Sequence, residues 1–452
     1  MVEVKAIFEP RHVVLIGSSM LREKVGMASP QLFSDVIHNM KKFYHGKTHV
    51  FDLEGKIGQK NLNDLPKTPD LAVIMLPPNK SIELAEESMK IGIKALIIIT
   101  GGFKDSQREY LLELKEKYGA RILGTNTIMG VINTANGLNT TFERNTMPKK
   151  GNIAVISQSG GVGSCLLDWA CFYNIGISKF VFVGDKIDVD DVDLLRYFGE
   201  DDETKVICLY MEGMKNGRDF IEEAEKTVKQ KPIVVLKGGA TQESAQRAKS
   251  HTASIAGSDE IFDAAFKKAG IIRAENIEDL MNMAIALSKQ PPMHGDNVVI
   301  VSNVGGPAIL AADAVARNNL KLATLCEATK QKIEGMYPGV DATNPIDMIA
   351  DARADRYEKV LDLVLSDKNV DGVLVINMLK STFFEPADAR IIPKVASKHR
   401  DKPIVDVPAG GEDFERVYKV LGKTNIPTYN LPDKAARALK ALRTYGKTTE
   451  KH

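Results

Sequence analysis

The chain has 452 residues, which is enough for two to four domains with a core each. Its 60 Lys and Arg residues balance 59 Asp and Glu residues, which argues against a dedicated binder of nucleic acid or of an anionic membrane. The start lacks the apolar stretch of a signal peptide, and no apolar window of about 18 residues occurs. The four cysteines lie in apolar runs without metal-ligand spacing, which predicts reduced core residues: Cys165, Cys171, Cys208 and Cys326. We therefore expect a soluble cytoplasmic protein without a metal site.

The first third alternates short apolar runs with amphipathic stretches. Strands are predicted at residues 12–17, 49–53, 71–76 and 95–100, and helices at 80–91 and 105–118. Continuous Val, Ile and Leu strands between helices are typical of a parallel sheet covered on both faces. A polar segment at 144–152 ends this unit.

Two further units repeat the pattern. Strands are predicted at 152–157, 179–184, 205–210 and 232–238 in one, and at 297–302, 372–377 and 403–407 in the other. The stretch GNIAVISQSGGVGSCLLDWA from Gly151 aligns without gaps with DNVVIVSNVGGPAILAADAV from Asp296, and KPIVVLKGG from Lys231 echoes KPIVDVPAGG from Lys402. We predict an α/β protein of three doubly wound domains, at 1–146, 147–292 and 293–452.

The first domain carries a turn that resembles a dinucleotide-binding loop. LIGSSMLREKVG, at 15–26, follows the first strand but lacks a full GxGxxG pattern. Asp52 ends the second strand and is placed to hold a ribose, while Lys24 is either a phosphate ligand or a solvated surface lysine. The turn alone leaves nicotinamide, flavin and coenzyme A open.

Two strand-to-helix corners carry Gly-Gly pairs, one in each of the later domains. They are Ser159-Gly160-Gly161 and Asn303-Val304-Gly305-Gly306. Glycine lets a ligand approach the backbone, and the helix N-terminus favours an anion. A plain turn explains either corner alone, but a pair on related domains suggests two helix N-termini that converge on one phosphate.

His251 lies among Ser, Thr, Ala and Gly residues, just before a helix that Ser258 is predicted to cap and Gly270 to end. Ile261, Phe262, Ala265 and Phe266 are predicted to form its apolar face. A neutral imidazole on such a mobile loop is suited to attack phosphorus, although an ordinary surface or core histidine is the alternative. Glu212 follows a strand of the same domain and is either a partner for that imidazole or a surface glutamate.

Six motifs in this order resemble the NDP-forming acyl-CoA synthetases, in particular the alpha subunits of archaeal ADP-forming acetyl-CoA synthetases, which are relatives of succinyl-CoA synthetase. They are ISQSGGVG, LYMEGMKNGR, KPIVVLKGG, SHTASIAGSDEIFDAAFKKAGIIR, VSNVGGPAILAADA and NPIDM. The resemblance spans nearly the whole chain. It implies a Rossmann-like CoA-binding domain followed by two flavodoxin-like ligase domains.

The resemblance also implies roles for particular residues. His251 matches the phosphorylated histidine on a swinging loop, and Glu212 matches the glutamate that supports it. The phosphate-binding positions are Ser159, Gly160, Gly161, Gly305 and Gly306, and the CoA-binding positions are Gly17, Ser18, Ser19, Lys24, Pro77, Thr100 and Asn126. The implied reaction converts acyl-CoA, inorganic phosphate and ADP into a carboxylic acid, CoA and ATP.

The family's ATP-grasp nucleotide domain has no counterpart in the three units. The resemblance therefore implies a separate beta subunit that holds ADP or ATP with Mg²⁺, in an α2β2 heterotetramer. Three stretches depart from the family pattern: Gly-Thr-Asn at 124–126 replaces Gly-Pro-Asn, Gly184-Asp185 replaces Gly-Asn, and the LREKVG loop at 21–26 is unusual. A non-catalytic CoA sensor and a nicotinamide-dependent dehydrogenase are the alternative functions.

Overall fold

The chain forms an α/β fold of three largely parallel sheets, as the three predicted groups of strands indicate. The structure is a computed structural model that describes residues 2–21, 27–241, 244, 259–380 and 383–450. By its contacts the chain divides into two compact units, Met1–Arg273 and Ala274–His452. The first unit contains two sheets and the second unit contains the third.

The first sheet has five parallel strands in the order β2-β1-β3-β4-β5. The strands are β1 (His12–Gly17), β2 (Lys47–Asp52), β3 (Leu71–Ile74), β4 (Ala95–Ile98) and β5 (Arg121–Gly124). The helices around them are α1 (Val2–Phe8), α2 (Pro30–Phe43), α3 (Pro78–Lys90) and α4 (Asp105–Tyr118). Every residue of β3 and β4 is buried, which explains their uninterrupted apolar sequences. The order reverses beside β1, so the carboxyl ends of β1 and β3 border the crevice where such sheets bind ligands.

The second sheet has seven strands in the order β12-β11-β10-β8-β9-β6-β7. The strands are β6 (Val131–Asn133), β7 (Leu138–Asn139), β8 (Lys150–Ser157), β9 (Ile177–Phe182), β10 (Val206–Met211), β11 (Ile233–Lys237) and β12 (Ile272–Ala274). The helices are α5 (Gly160–Phe172), α6 (Asp191–Glu200), α7 (Gly217–Thr227) and α8 (Asp259–Ala269). From β8 to β12 this is the flavodoxin-like order, and β6 adds to it by pairing antiparallel with β9.

The first two sheets share one apolar core, and α1 contributes to it. The ring of Phe8 stacks on Tyr197 at 4.6 Å between ring centroids and meets Phe198 edge-on at 5.4 Å. The Tyr197 hydroxyl donates a hydrogen bond to Glu9. These contacts join both sheets into one compact unit. The predicted boundary between a domain at 1–146 and a domain at 147–292 therefore stays a prediction.

The third sheet follows the order β14-β13-β16-β17, with β15 also paired to β13. The strands are β13 (Asn297–Ser302), β14 (Lys321–Leu322), β15 (Ile346–Asp347), β16 (Gly372–Asn377) and β17 (Ile404–Pro408). The helices are α9 (Ile277–Lys289), α10 (Gly305–Arg317), α11 (Glu327–Met336), α12 (Ala354–Ser366), α13 (Ile391–Ala396), α14 (Gly411–Leu421) and α15 (Pro432–Thr449).

The second and third sheets repeat the same local structure, which supports the internal repeat seen in the sequence. At each Gly-Gly corner a serine hydroxyl bridges the turn: Ser157 Oγ donates to the Ser159 carbonyl at 2.7 Å, and Ser302 Oγ donates to the Val304 carbonyl at 2.7 Å. The aligned lysines also match. Lys231 donates to carbonyls at the end of α6, and Lys402 donates to carbonyls at the end of α12.

The cysteines differ from the prediction. All four are free thiols, but only Cys208 is buried, while Cys165 and Cys171 are exposed and Cys326 is partly exposed. Cys165 and Cys171 lie on the exposed face of α5 together with the charged Asp168, whereas the opposite face buries Leu166, Leu167 and Ala170. Among the described residues, no helix has the length and apolarity needed to cross a bilayer, and no group of three or more His, Cys, Asp or Glu is arranged to hold a metal ion.

One buried carboxyl predicts how the stability of the second unit depends on pH. Asp406 is fully buried in β17, where Oδ1 accepts a hydrogen bond from Asn377 Nδ2 at 2.6 Å and Oδ2 has no partner among the described residues. Burial raises the pKa of Asp406 well above its usual value. Above a pH of about 4 the unfolded chain therefore loses a proton that the folded chain keeps, and the free energy of unfolding falls as pH rises.

Asp406→Asn, which keeps the shape of the protonated side chain, is expected to stabilise the second unit by roughly 1 kcal/mol or more at pH 7. The difference should become small towards pH 4, where about half of the unfolded chains already hold the proton that the folded chain keeps. Calorimetric melting between pH 4 and 8 measures this effect, with the exposed Asp401→Asn as the control. A variant that is less stable than the wild type at pH 8 would contradict the prediction.

Candidate functional site

The turn after β1 is held by two carboxylates at the end of β2. Ser18 Oγ donates to both oxygens of Glu54 at 2.9 Å, while Ser19 donates from its backbone N–H and from its hydroxyl to Asp52. Gly17 is needed at the start of the turn because a Cβ there would lie 2.3 Å from the ring of Phe33. Packing and hydrogen bonds therefore fix the first part of the turn, at residues 17–19.

Asp52 does not have the ribose-binding position that the sequence suggested. It is fully buried, and its carboxylate also accepts hydrogen bonds from the backbone N–H groups of Lys56 and Ile57. Burial alone would raise the pKa of Asp52, but the hydrogen bonds from Ser19 and its neighbours outweigh it and lower the pKa. Asp52 organises the turn, and this removes the feature that favoured a nicotinamide cofactor.

A cavity of about 780 Å³ opens beside this turn, at the carboxyl ends of the first sheet's strands. Glu54, Pro77, Lys80 and Lys104 are among the residues that line it. Its size and its two lysines fit a phosphate-bearing ligand such as a nucleotide. Lys24, the predicted phosphate ligand of this loop, lies outside the described residues.

Two of the other predicted CoA-binding residues, Thr100 and Asn126, do not line this cavity. Thr100 is fully buried and its hydroxyl donates to the Leu76 carbonyl at 2.6 Å, so this side chain supports the loop and does not face the cavity. Asn126 donates its backbone N–H to the Thr100 carbonyl and lines a different cavity.

The first Gly-Gly corner lies at the end of β8 and presents the N-terminus of α5. Ser159 caps this helix by accepting a hydrogen bond from the Val162 N–H at 3.4 Å. A Cβ at Gly161 would meet nothing within 4 Å, so the space before the helix is open. Free N–H groups and the helix dipole suit this corner to an anion.

The second corner lies in the other unit, at the end of β13, and presents the N-terminus of α10. A Cβ at Gly306 would also meet nothing within 4 Å, while one at Gly305 would lie 3.5 Å from Oδ2 of Asp347. The Asn303 side chain ties the corner to the end of β16 through two hydrogen bonds with the Met378 backbone. The two corners thus have the same construction.

Glu212 lies directly after β10 and is joined to the first corner. Gln158, the residue before Ser159, accepts hydrogen bonds with Oε1 from the backbone N–H groups of Glu212 at 2.7 Å and Gly213 at 3.1 Å. The Tyr210 hydroxyl donates to Glu212 Oε1 at 3.3 Å, and Oε2 is buried without a partner among the described residues. A carboxylate oxygen is therefore left to accept a hydrogen bond or a proton next to the anion site.

Burial, and next the negative charge of Glu212, raise the pKa of Tyr210 to about 12. The Tyr210 hydroxyl therefore stays protonated at physiological pH and continues to donate to Glu212.

The predicted His251 and the cap Ser258 lie outside the described residues. The helix that follows is α8, which Gly270 ends with a φ of 74°. Phe262 and Phe266 are buried as predicted, but Ile261 is exposed and the third buried apolar residue is Ala269. The predicted apolar face is thus wrong at Ile261, because the buried stripe continues along 262, 266 and 269.

A second cavity, of about 590 Å³, shares Gln158, Ser159 and Gly160 with the first corner. Its lining also contains Arg108 from α4 and Asp185, which follows β9. The sequence analysis identified Asp185 only as a departure from a family pattern and did not identify Arg108. No local signal marks Arg108, which lies among the alternating charges of an amphipathic helix.

Three family models match successive parts of the chain. They describe a CoA binding domain at residues 11–133, a succinyl-CoA ligase like flavodoxin domain at 150–287 and a ligase-CoA domain at 298–448. The chain is 37% identical over 451 residues to acetate–CoA ligase (ADP-forming) II subunit alpha of Pyrococcus furiosus, and the match covers 96% of each protein. The chain belongs to this family of ADP-forming acetate–CoA ligase alpha subunits. The predicted resemblance and the α/β fold with a CoA-binding domain are confirmed.

Two further relatives of the family extend the comparison. An acetate–CoA ligase (ADP-forming) of Methanocaldococcus jannaschii is 37% identical over 456 residues, covering 98% of this chain but 63% of that longer protein. The structure of a dinucleotide forming acetyl-coenzyme A synthetase 1 of Ca. Korarchaeum cryptofilum, in complex with phosphate and ADP, matches with a TM-score of 0.90 and 32% identity. That match covers 100% of this chain and 98% of the other.

Proposed function

We propose that the chain is the alpha subunit of an ADP-forming acyl-CoA synthetase, which converts acyl-CoA, phosphate and ADP into a carboxylic acid, CoA and ATP. The observation that carries the proposal is the link between Glu212 and the Ser159–Gly161 corner, which Gln158 makes through two hydrogen bonds. Two groups are required to transfer a phosphoryl group to an imidazole: a site that holds the anion and a carboxylate oxygen that is free to support the imidazole.

In the first step, inorganic phosphate is held at the N-terminus of α5, which begins at Gly160, and attacks the thioester carbonyl of acyl-CoA. The carbon–sulfur bond breaks, CoA leaves as the thiol after taking up a proton, and an acyl phosphate remains. CoA itself occupies the cavity beside Ser18, Ser19 and Pro77, where Lys80 and Lys104 offer cations to its phosphates.

In the second step, the imidazole of His251 attacks the phosphorus of the acyl phosphate, and the carboxylic acid leaves. Glu212 orients the ring through its second nitrogen, or accepts its proton. His251 then gives the phosphoryl group to ADP, which regenerates the neutral imidazole. The series of reaction steps is reversible, because each step transfers one group between a nucleophile and a leaving group.

The nucleotide site belongs to a separate ATP-grasp beta subunit that binds ADP or ATP with Mg²⁺, and we propose an α2β2 assembly in the cytoplasm. Support comes from the subunit name of the Pyrococcus relative and from the greater length of the Methanocaldococcus relative, of which this chain covers 63%. The additional length of that protein is compatible with a fused partner domain.

Reconstitution tests the proposal. The chain mixed with an archaeal beta subunit should form ATP from acetyl-CoA, phosphate and ADP, and the chain alone should be stabilised against heat by CoA but not by NAD. Stabilisation by NAD would favour the alternative function, a nicotinamide-dependent dehydrogenase. The structure argues against that alternative, because Asp52 is buried and is not placed to bind the ribose of NAD. If the chain binds CoA but forms no ATP from any acyl-CoA that is supplied, the result would favour the other alternative, a non-catalytic CoA sensor.

Gly161→Asp is expected to lower kcat/KM for phosphate by roughly 100-fold or more without destabilising the fold. The new side chain has open space, and its carboxylate would occupy the anion position before α5. Gly161→Ala is the control and should be nearly as active as the wild type. Gly163→Ala should instead lower the melting temperature, because its Cβ would lie 2.9 Å from the Phe180 ring. Full activity of Gly161→Asp would exclude this corner as the phosphate site.

A further inference from the structure

Lys237 is a buried cation whose charge is not directly paired. It ends β11 and is 7% exposed. Its Nζ donates a hydrogen bond to the Gly238 carbonyl and lies 4.7 Å from the centre of the Phe262 ring. Among the described residues, no carboxylate oxygen lies within 4.0 Å of this ammonium group. Buried charges are normally paired, so Lys237 lowers the stability of the fold unless an anion reaches its surroundings during the reaction.

Packing alone does not explain a lysine at this position. A methionine would fill a similar volume against Phe262 without the cost of removing a charge from water. Burial lowers the pKa of Lys237, although the charges of Asp259 and Glu212 raise it against that of Arg273. Arg273 differs from Lys237, because it donates to both oxygens of Asp259 at 2.6 and 2.9 Å and its charge is already matched.

Lys237 belongs to the same cluster as Glu212. The parallel strands β10 and β11 are neighbours, and Met211, the residue before Glu212, is paired with Lys237 in their register. A Cβ at Gly238 would lie 2.5 Å from the Tyr210 hydroxyl, which itself donates to Glu212 Oε1 at 3.3 Å. The ammonium group and the Glu212 carboxylate are therefore close enough for their charges to attract each other.

On its other side, Lys237 meets the start of α8, the helix that follows the segment with His251. Asp259 is the first residue of α8, and Phe262 lies in the first turn. The ring contacts the ammonium group by a cation–π interaction, and the carboxylate acts on it through its charge. Lys237 thus connects the carboxylate proposed to support the imidazole with the helix to which the imidazole's segment leads.

The proposed phosphoryl transfer brings like charges together. The phosphoryl group on His251 carries negative charge, and Glu212, which orients the imidazole, is itself a carboxylate. Two anions in a partly buried site repel each other strongly, because protein screens their charges less than water does. A cation beside Glu212 offsets this repulsion.

We propose that Lys237 is a positioning residue for phosphoryl transfer, whose buried ammonium group offsets the repulsion between Glu212 and the phosphoryl group and holds the start of α8 beside that carboxylate. This proposal rests on the proposed function and adds a residue to the same site. Lys237 acts through Glu212 and α8, and no contact between its ammonium group and the reacting atoms is required.

Rapid-quench measurement of chain phosphorylation, with the beta subunit and labelled ATP, tests the proposal. Lys237→Met keeps an apolar side chain against Phe262 and should lower the rate by about 10- to 100-fold, as expected for the loss of one charge-assisted interaction. The melting temperature and the affinity for CoA should change little. Lys237→Arg keeps the charge and should retain more of the rate than Lys237→Met. Lys229→Met, at an exposed lysine of the same unit, is the matched control and should behave like the wild type.

Two results of this experiment would overturn the proposal. One is a folded Lys237→Met with the wild-type phosphorylation rate. The other is a parallel fall of the rate and the melting temperature in both Lys237 variants, because that result would show that the lysine only supports the fold.

A second measurement needs no turnover. If the wild-type complex forms no phosphorylated chain, the proposed function fails, but the charge coupling is still testable in the chain alone. Carbon NMR with labelled glutamate follows the titration of Glu212, whose signal is identified by its absence in Glu212→Gln. The midpoint should lie about half to one pH unit higher in Lys237→Met than in the wild type, because the carboxylate loses a nearby positive charge. Tyr210, Asp259 and Arg273, the other ionisable groups of the cluster, are the same in both proteins. An unchanged midpoint would overturn the proposal independently of turnover.

Discussion

His251→Ala is expected to abolish phosphorylation of the chain and to lower ATP formation by roughly 10⁴-fold or more, while CoA binding stays unchanged. The reason is chemical: alanine offers no nitrogen to attack phosphorus, and no later step can bypass a missing covalent intermediate. CoA binding should survive because the proposed CoA cavity is lined by residues that follow strands of the first sheet, such as Pro77 and Lys104.

The measurement uses labelled ATP, Mg²⁺ and the beta subunit, followed by separation of the two chains. Wild-type chain should carry a label that is stable in base and lost in acid, which distinguishes phosphohistidine from a phosphoester. His45→Ala, at an exposed position of the first domain, is the control and should be labelled like the wild type. Label that persists in His251→Ala, or equal losses of label and CoA binding, would contradict the assignment.

The sheets could be predicted from the sequence because their strands are buried on both faces. Runs such as HVVLIG and NVVIVS contain little except Val, Ile and Leu, and the structure places β1 and β13 at the predicted residues. Helix α4 also begins and ends as predicted, since Gly119 ends it in the left-handed conformation. Strand β16 also matches, and the other predicted strands differ at their ends by one or two residues. The sequence analysis did not predict the short strands β5, β6, β7, β12, β14 and β15.

Single features of the site could be predicted where the backbone itself makes them. Both Gly-Gly corners were visible because a strand, a glycine pair and a helix follow one another within a few residues. The same local rule was wrong for Asp52, since its position after β2 does not reveal that the Ser19 turn and the Lys56 backbone use up its oxygens. The sequence therefore predicted where the Asp52 carboxylate lies, but not which groups donate hydrogen bonds to it.

The cavity wall could not be predicted, because its members are far apart in the chain. Arg108 and Asp185 are separated by 77 positions and meet only when α4 packs next to the end of β9. Thr125 and Asp185 were each noted as departures from a family pattern. Their hydrogen bond at 2.6 Å, which shows that the two departures belong to one feature, required the structure.

Glu212→Gln is expected to lower the rate of chain phosphorylation by roughly 10²- to 10⁴-fold, the usual range for loss of a general acid or base. Glutamine keeps the length of the side chain and the hydrogen bond from Tyr210, but its amide cannot take a proton or carry the charge that stabilises an imidazolium. Because Oε2 has no partner among the described residues, removing its charge should change the melting temperature little.

Rapid-quench measurement of labelled chain gives this rate directly, and the exposed Glu222→Gln on α7 is the matched control. Tyr210→Phe separates the two oxygens of Glu212: it removes the donor to Oε1 but leaves Oε2 free, so its effect should be much smaller than that of Glu212→Gln. If Glu212 only supported the fold, both variants would lower the melting temperature and the rate together. A folded Glu212→Gln with the wild-type phosphorylation rate would show that His251 obtains its orientation from another group, and the link through Gln158 would then serve only to hold the corner.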